Sequence, residues 1–168
     1  MLVERASIKN LIFVRLNPGD DLLAALEEAS KKHNIKNAVI LSGIGSARSH
    51  HFHVVGTRQN PPRNDFTRGE KASDIVNING FIIEGRIHVH IVHSDADIAF
   101  GGHLEAGVEV LTFAILTLAE VDYDFTGFDS IGDIEELREI AGEGKEREWG
   151  RINHGGHGGR TTEGTEES

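Results

Sequence analysis

Glu84-Gly85-Arg86-Ile87-His88-Val89-His90-Ile91-Val92-His93 is the stretch on which the reading of this chain turns. Ile87, Val89 and Ile91 alternate with His88 and His90, so a strand here has one apolar face and one face carrying imidazoles. His93 falls one residue off that face. Thirteen residues after His90, Gly101-Gly102 leads into His103, the third imidazole a compact metal site needs, read as sitting on a glycine-led turn.

Working outward, Asp74 to Glu84 and Arg86 to His93 read as two strands joined tightly near Glu84-Gly85. Ser94-Asp95-Ala96-Asp97 is a turn whose side chains can bond their own backbone. The apolar, β-branched run from Gly107 to Asp122 reads as a further strand. Upstream, Leu11 to Leu16 is a first strand stopped by Asn17-Pro18-Gly19. A helix over about 21–33 follows, capped by Asp20 or Asp21, with Leu22, Ala25, Leu26 and Ala29 on one side. Asn37 to Ser42 is a second strand running into Gly43-Ile44-Gly45-Ser46. The glycines read as a bend or bulge, since no third glycine or following helix supports a dinucleotide loop. Ser49 to Gly56 is expected to be its partner strand, with His51 and His53 on one face as surface or cross-strand histidines. Thr57 to Ser73 is expected to be a long polar loop.

These elements predict an α/β chain of the α+β type: a mostly antiparallel twisted sheet with one main helix packed on it. A short amphipathic helix follows over 131–141, built on Ile131, Ile134, Leu137 and Ile140. The main domain is placed at 1–130 and an acidic, glycine-rich flexible tail at 142–168; His154 and His157 are incidental members of that tail.

Composition narrows the chemistry. The chain has 168 residues and no cysteine, which excludes a disulfide framework, a thiolate nucleophile and a sulfur-held metal. No apolar run reaches the roughly 20 residues of a membrane helix, and the first residues lack a signal peptide's apolar segment; a soluble cytoplasmic protein is the expectation. The net charge of −10 argues against nucleic acid as a partner, because phosphate neutralisation supplies the sequence-independent part of such binding. The charge is uneven: Arg48, Arg58, Arg63, Arg68 and Lys71 stand against only Asp65 and Glu70 in the stretch 48–72, so a basic loop on an acidic body is a candidate DNA contact.

Two histidines at i and i+2 on a strand project in parallel. A third from a neighbouring element completes a face of three nitrogens around zinc at about 2.0–2.1 Å, leaving a fourth position open. Such an ion supports Lewis-acid or hydroxide chemistry, or merely retains a water. Glu84, Asp95, Asp97 and Glu105 are near enough in sequence to orient the rings. The plainer account stays open beside it: His88 and His90 decorate a polar sheet face, and His103 packs under a glycine turn. No H-E-x-x-H helix, phosphate loop or nucleophile elbow is present.

Gly85-Arg86-Ile87-His88-Val89-His90, then Gly101-Gly102-His103-Leu104, Gly107-Val108 and Ala119-Glu120-Val121 resemble the PPC domain (plant and prokaryote conserved domain, DUF296). Leu16-Asn17-Pro18-Gly19-Asp20-Asp21-Leu22 and Leu41-Ser42-Gly43-Ile44-Gly45-Ser46 resemble that family's strand-to-helix junction and glycine-serine strand, and the likeness covers about residues 8–125. The resemblance implies a homotrimer and a metal unit falling on His88, His90 and His103. It also implies the stand-alone prokaryotic type, since the Arg-Gly-Arg-Pro core of an AT-hook is missing. Three functions follow as expectations. The first is a homo-oligomeric metal-binding domain, zinc or a similar divalent ion, that regulates or scaffolds through DNA or a protein. The second is a DNA binder through Arg48, Arg58, Arg63, Arg68 and Lys71. The third is a metal-dependent hydrolase or lyase built on the three histidines.

Overall fold

The computed structural model describes residues 1–134. Its elements are β1 (Ile8–Leu16), α1 (Leu22–Lys32), β2 (Ala38–Ala47), β3 (His50–Val55), β4 (Asn64–Gly69), β5 (Ser73–Ile83), β6 (Arg86–Ser94), β7 (Ala99–Leu104) and β8 (Val110–Val121). The strands form one sheet in the order β1-β8-β2-β5-β6-β7-β3-β4, and every neighbouring pair is antiparallel. The sheet dominates, with a single helix among the described residues.

Local chemistry accounts for the elements read correctly. Asp21 caps α1 by accepting a hydrogen bond from Ala24 N at 2.9 Å, Lys31 and Lys32 occupy its last turn, and Asn34 follows in the left-handed region at φ 53°. The β5–β6 hairpin closes on Glu84 (φ 52°) and Gly85 (φ 85°), the two consecutive positive φ angles of a type I′ turn. That turn fixes the register in which Phe81 faces His88 and Asn79 faces His90. Asp95 Oδ1 accepts from the N–H groups of Asp97 (2.8 Å) and Ile98 (3.1 Å) and ties off the β6–β7 turn. Register shifts in β2 fall between Ile40 and Ser42, ahead of the glycines, and between Gly45 and Ala47, beside the second of them, while Gly43 keeps regular pairing with Leu116.

Three expectations are corrected. The strand from His50 pairs with β4 and β7 rather than with β2, whose neighbours are β5 and β8. Within the supposed loop 57–73, Asn64–Gly69 forms the edge strand β4. Its side chains are almost all exposed, so no alternating apolar pattern marks it. Gly101 and Gly102 are in strand β7, not in a turn. A Cβ on Gly101 would lie 2.0 Å from Ile91 O, and one on Gly102 2.3 Å from His53 O, so the absent side chains let β7 seat between its neighbours.

α1 lies on one face of the sheet, where Leu22 and Leu26 meet Ile78, Ile82, Val89, Ile91, Leu104, Leu116 and Leu118 in the main core. A smaller core of Ile83, Val121, Tyr123 and Phe125, with Val39 against it, lies apart from this one. No helix among the described residues is long and apolar enough to cross a membrane. Residues 135–141 of the expected short helix, and the tail 142–168 with His154 and His157, lie outside the described residues.

Candidate metal centre

Strand alternation sends Ile87, Val89 and Ile91 into the core and turns His88 and His90 to the other face of the sheet. Register then supplies the third imidazole, because His90 stands directly opposite His103 on β7. The ring centroids of His88, His90 and His103 are 4.8–6.0 Å apart. The three histidines singled out in the sequence therefore converge on one face. His93, on the opposite face, is fully buried.

A fourth imidazole joins them. His53 on β3 is the register partner of His103 on its other side, and their rings stack at 4.4 Å. Glu105 Oε1 lies 2.6 Å from His53 Nδ1 and 3.5 Å from His103 Nδ1, and one ligand atom from each of these three residues falls within 4.8 Å of the others. His51, the other member of that H-x-H, points its Nδ1 to Ala106 O at 2.6 Å instead. The faint signal for His53 was its place in His51-Phe52-His53. What the sequence hid was that β3 lies beside β7.

Of the four carboxylates near enough in sequence to orient the rings, Glu105 does so. Glu84 occupies the hairpin turn, and Asp95 holds its own turn and receives Lys71. The carboxylate that sequence reasoning missed is Asp129, whose Oδ2 lies 2.7 Å from His88 Nδ1. Its two oxygens accept a fork from Arg86 at 2.7 and 2.9 Å, and that guanidinium, with His88 after it, holds the Asp129 carboxyl down at about 2.

Burial and the neighbouring rings set the protonation of the cluster. Desolvation lowers the pKa of His90, reinforced by His88 and His53. Desolvation also lowers that of His103, with His53 and His88 adding to it and Glu105 opposing. Both rings are thereby held neutral near pH 7, the form that ligates a metal. His103 Nδ1 is buried and makes no hydrogen bond, Glu105 Oε1 standing 3.5 Å away, and a buried nitrogen of this kind is one that a metal or ligand satisfies. The donor set of imidazole nitrogens and carboxylate oxygens fits zinc or a similar divalent ion.

The five cations of the candidate DNA contact do not form one face. Arg58 and Arg63 lie at the loop joining β3 to β4, while Arg48, Arg68 and Lys71 lie around the opposite end of those strands. Arg48 pairs with Glu109 at 3.2 Å, Arg63 with Asp65 at 3.3 Å, and Lys71 with Asp95. Arg48 and Arg68 line a cleft of 620 Å³, but Asp21, Glu70 and Glu109 share it.

The profile of the Plants and Prokaryotes Conserved (PCC) domain matches residues 3–122. Among solved structures, the fold is similar to that of a metal-containing protein from Archaeoglobus fulgidus (TM-score 0.65, 22% identity, covering 74% of this chain and 88% of that one). It is also similar to a plant- and prokaryote-conserved protein from Pyrococcus horikoshii (TM-score 0.60, 22% identity, 74% and 87%). A third, from Bacteroides thetaiotaomicron and described as a candidate DNA-binding protein, gives a TM-score of 0.61 at 20% identity, over 71% and 86%. At these identities the likeness is one of fold. A curated relative, the bifunctional protein GlmU of Synechococcus, is 27% identical over 115 residues, 67% of this chain; the match spans 18% of that protein's length.

Proposed function

This chain belongs to the Plants and Prokaryotes Conserved domain family, and from that premise we propose that it is a homo-oligomeric metal-binding domain with a regulatory or scaffolding role. Zinc or a similar divalent ion is held by His88, His90 and His103. The observation that carries this reading is the convergence of those rings across β6 and β7, with one buried nitrogen of His103 making no hydrogen bond and Glu105 Oε1 3.5 Å from it. His53 and Glu105 flank His103 and either enlarge the donor set or hold that ring in place. A bound ion would supply Lewis acidity at this face. The chain's own part is to bring the imidazoles together on one face, with the pKa values of His90 and His103 lowered by burial, and to keep carboxylates beside them.

Self-association is supported by the sheet face away from α1. Leu11, Phe13, Leu41, Ile44 and Ile115 are more than a third exposed on β1, β2 and β8, and Ile44 and Ile115 are direct cross-strand partners. An apolar surface of this kind suits contact with another protein chain, and the family resemblance makes that chain a second copy.

DNA is left outside the reading. One solved relative is described as a candidate DNA-binding protein, but here the basic residues are divided between two ends of a hairpin and the formal charge is −10. The hydrolase or lyase alternative would use the same three histidines.

The test is elemental analysis of protein purified without added chelator. Near-stoichiometric zinc or a similar ion is expected, and the double variant His88→Ala, His90→Ala, folded by circular dichroism, should lose it. Wild-type protein that stays metal-free and takes up no zinc on titration would overturn the reading.

A further inference from the structure

The family match ends at residue 122, yet one of the carboxylates nearest the imidazoles comes seven residues later. Residues 123–130 are laid over the hairpin end of the sheet by an aromatic anchor. Tyr123, Phe125 and Phe128 pack edge to face at 5.3–5.5 Å, and Phe125 does the same with Phe81 of β5 at 5.2 Å. Tyr123 and Phe125 are each 6% exposed. Asn37 Oδ1 accepts from Phe125 N, and Phe128 N and Ser130 N donate to the carbonyls of Phe125 and Gly127 at 2.9 and 3.1 Å. A strap so anchored delivers Asp129 to a fixed place.

At that place the hydrogen-bonding inventory decides a tautomer. An ionised carboxylate only accepts, and Arg86 grips both oxygens of Asp129. The His88 nitrogen 2.7 Å away must therefore be the donor, so in the neutral ring the one proton sits on Nδ1 and the Nε2 lone pair is free. That arrangement, a carboxylate behind a histidine whose other nitrogen is available, is the one that orients metal-binding imidazoles and raises their basicity.

We propose that Asp129 is a positioning residue that fixes His88 as the Nδ1–H tautomer for metal ligation, and that the strap 123–130 is the element through which this chain sets its metal affinity. The inference rests on the metal-binding reading above, because affinity is what the strap acts on.

The experiment compares the full chain with Asp129→Asn, Phe128→Ala and Glu84→Gln in two measurements. One is zinc affinity by competition with a chromophoric chelator; the other is the tautomer of His88 in metal-free protein, from long-range proton–nitrogen NMR. Asp129→Asn is expected to keep the fold and the metal stoichiometry, to weaken zinc binding by about 10–100-fold, and to release His88 into a mixture of tautomers. Phe128→Ala, which loosens the strap at a half-exposed ring, should move both readouts the same way by less. Glu84→Gln removes a nearby exposed charge and should move neither. An Asp129→Asn protein with wild-type affinity, or with His88 still wholly Nδ1–H, overturns the inference. Wild-type protein that binds no zinc overturns the metal reading, and this inference with it; loss confined to Asp129→Asn and Phe128→Ala speaks to the strap alone.

Discussion

His93 shows how much one position along a strand decides. It shares β6 with His88 and His90 but lies on the core face, fully buried, stacked on Phe100 at 5.4 Å, with Ser73 Oγ 3.0 Å from its Nδ1 and its Nε2 unpartnered. Burial, and then the nearby His50, push its pKa down to about 4. The unfolded chain takes up this proton near pH 6.5, whereas the folded chain resists it until about pH 4, so stability falls as the pH drops through that window. The full loss is on the order of 3 kcal/mol, at about 1.4 kcal/mol for each unit of pKa difference. Urea denaturation of His93→Met between pH 7 and pH 4 is expected to show a correspondingly shallower decline than wild type; parallel declines would refute the assignment. The alternation that separates His93 from its neighbours was readable from Ile87 to His93. By contrast, His53 could not be told from His51 by any local pattern, because what distinguishes them is the identity of the strand lying alongside.

Among elements, legibility followed the range of the interactions that make them. α1 and the β5–β6 hairpin are built by a cap, a periodicity and a two-residue turn, all within a few residues of one another. β7 is set by strands on both sides, and its two glycines carried the opposite local message. The close approaches at Gly101 and Gly102 explain why a strand uses them there. Gly102→Ala is therefore expected to force β7 away from His53 and to break the 4.4 Å stack of His53 on His103. Overpacking of this kind costs roughly 1–3 kcal/mol. Thermal denaturation should report the lowered stability, and zinc titration should report weaker binding; a variant matching wild type in both would show that the backbone contact is not needed. β4 was missed for a related reason, since an edge strand with exposed side chains leaves no alternating apolar signature.

At the scale of the whole molecule, helix and core cover one face of the sheet, and the other presents Phe13 at 71% and Ile44 at 55% exposure. On the self-association proposed above, replacing both with serine is expected to shift sedimentation toward the monomer without loss of the folded signal; an unchanged sedimentation coefficient would refute a role for this face in it. The sequence displayed the apolar residues of β1 and β8 but not which of them face away from α1, because that depends on where the helix docks. The strand order has a further consequence, for how the chain reaches this state. β8 is inserted between β1 and β2, so Ile8 meets Val121 and Ala38 meets Glu120. β1 and β2 are thus joined by the strand that comes last in chain order among the described residues. Contacts of such long sequence separation slow folding, with all-β topologies falling in the millisecond-to-second range. During synthesis β1 waits as an unpaired apolar ribbon, and it is there that a nascent chain of this fold is most exposed to aggregation.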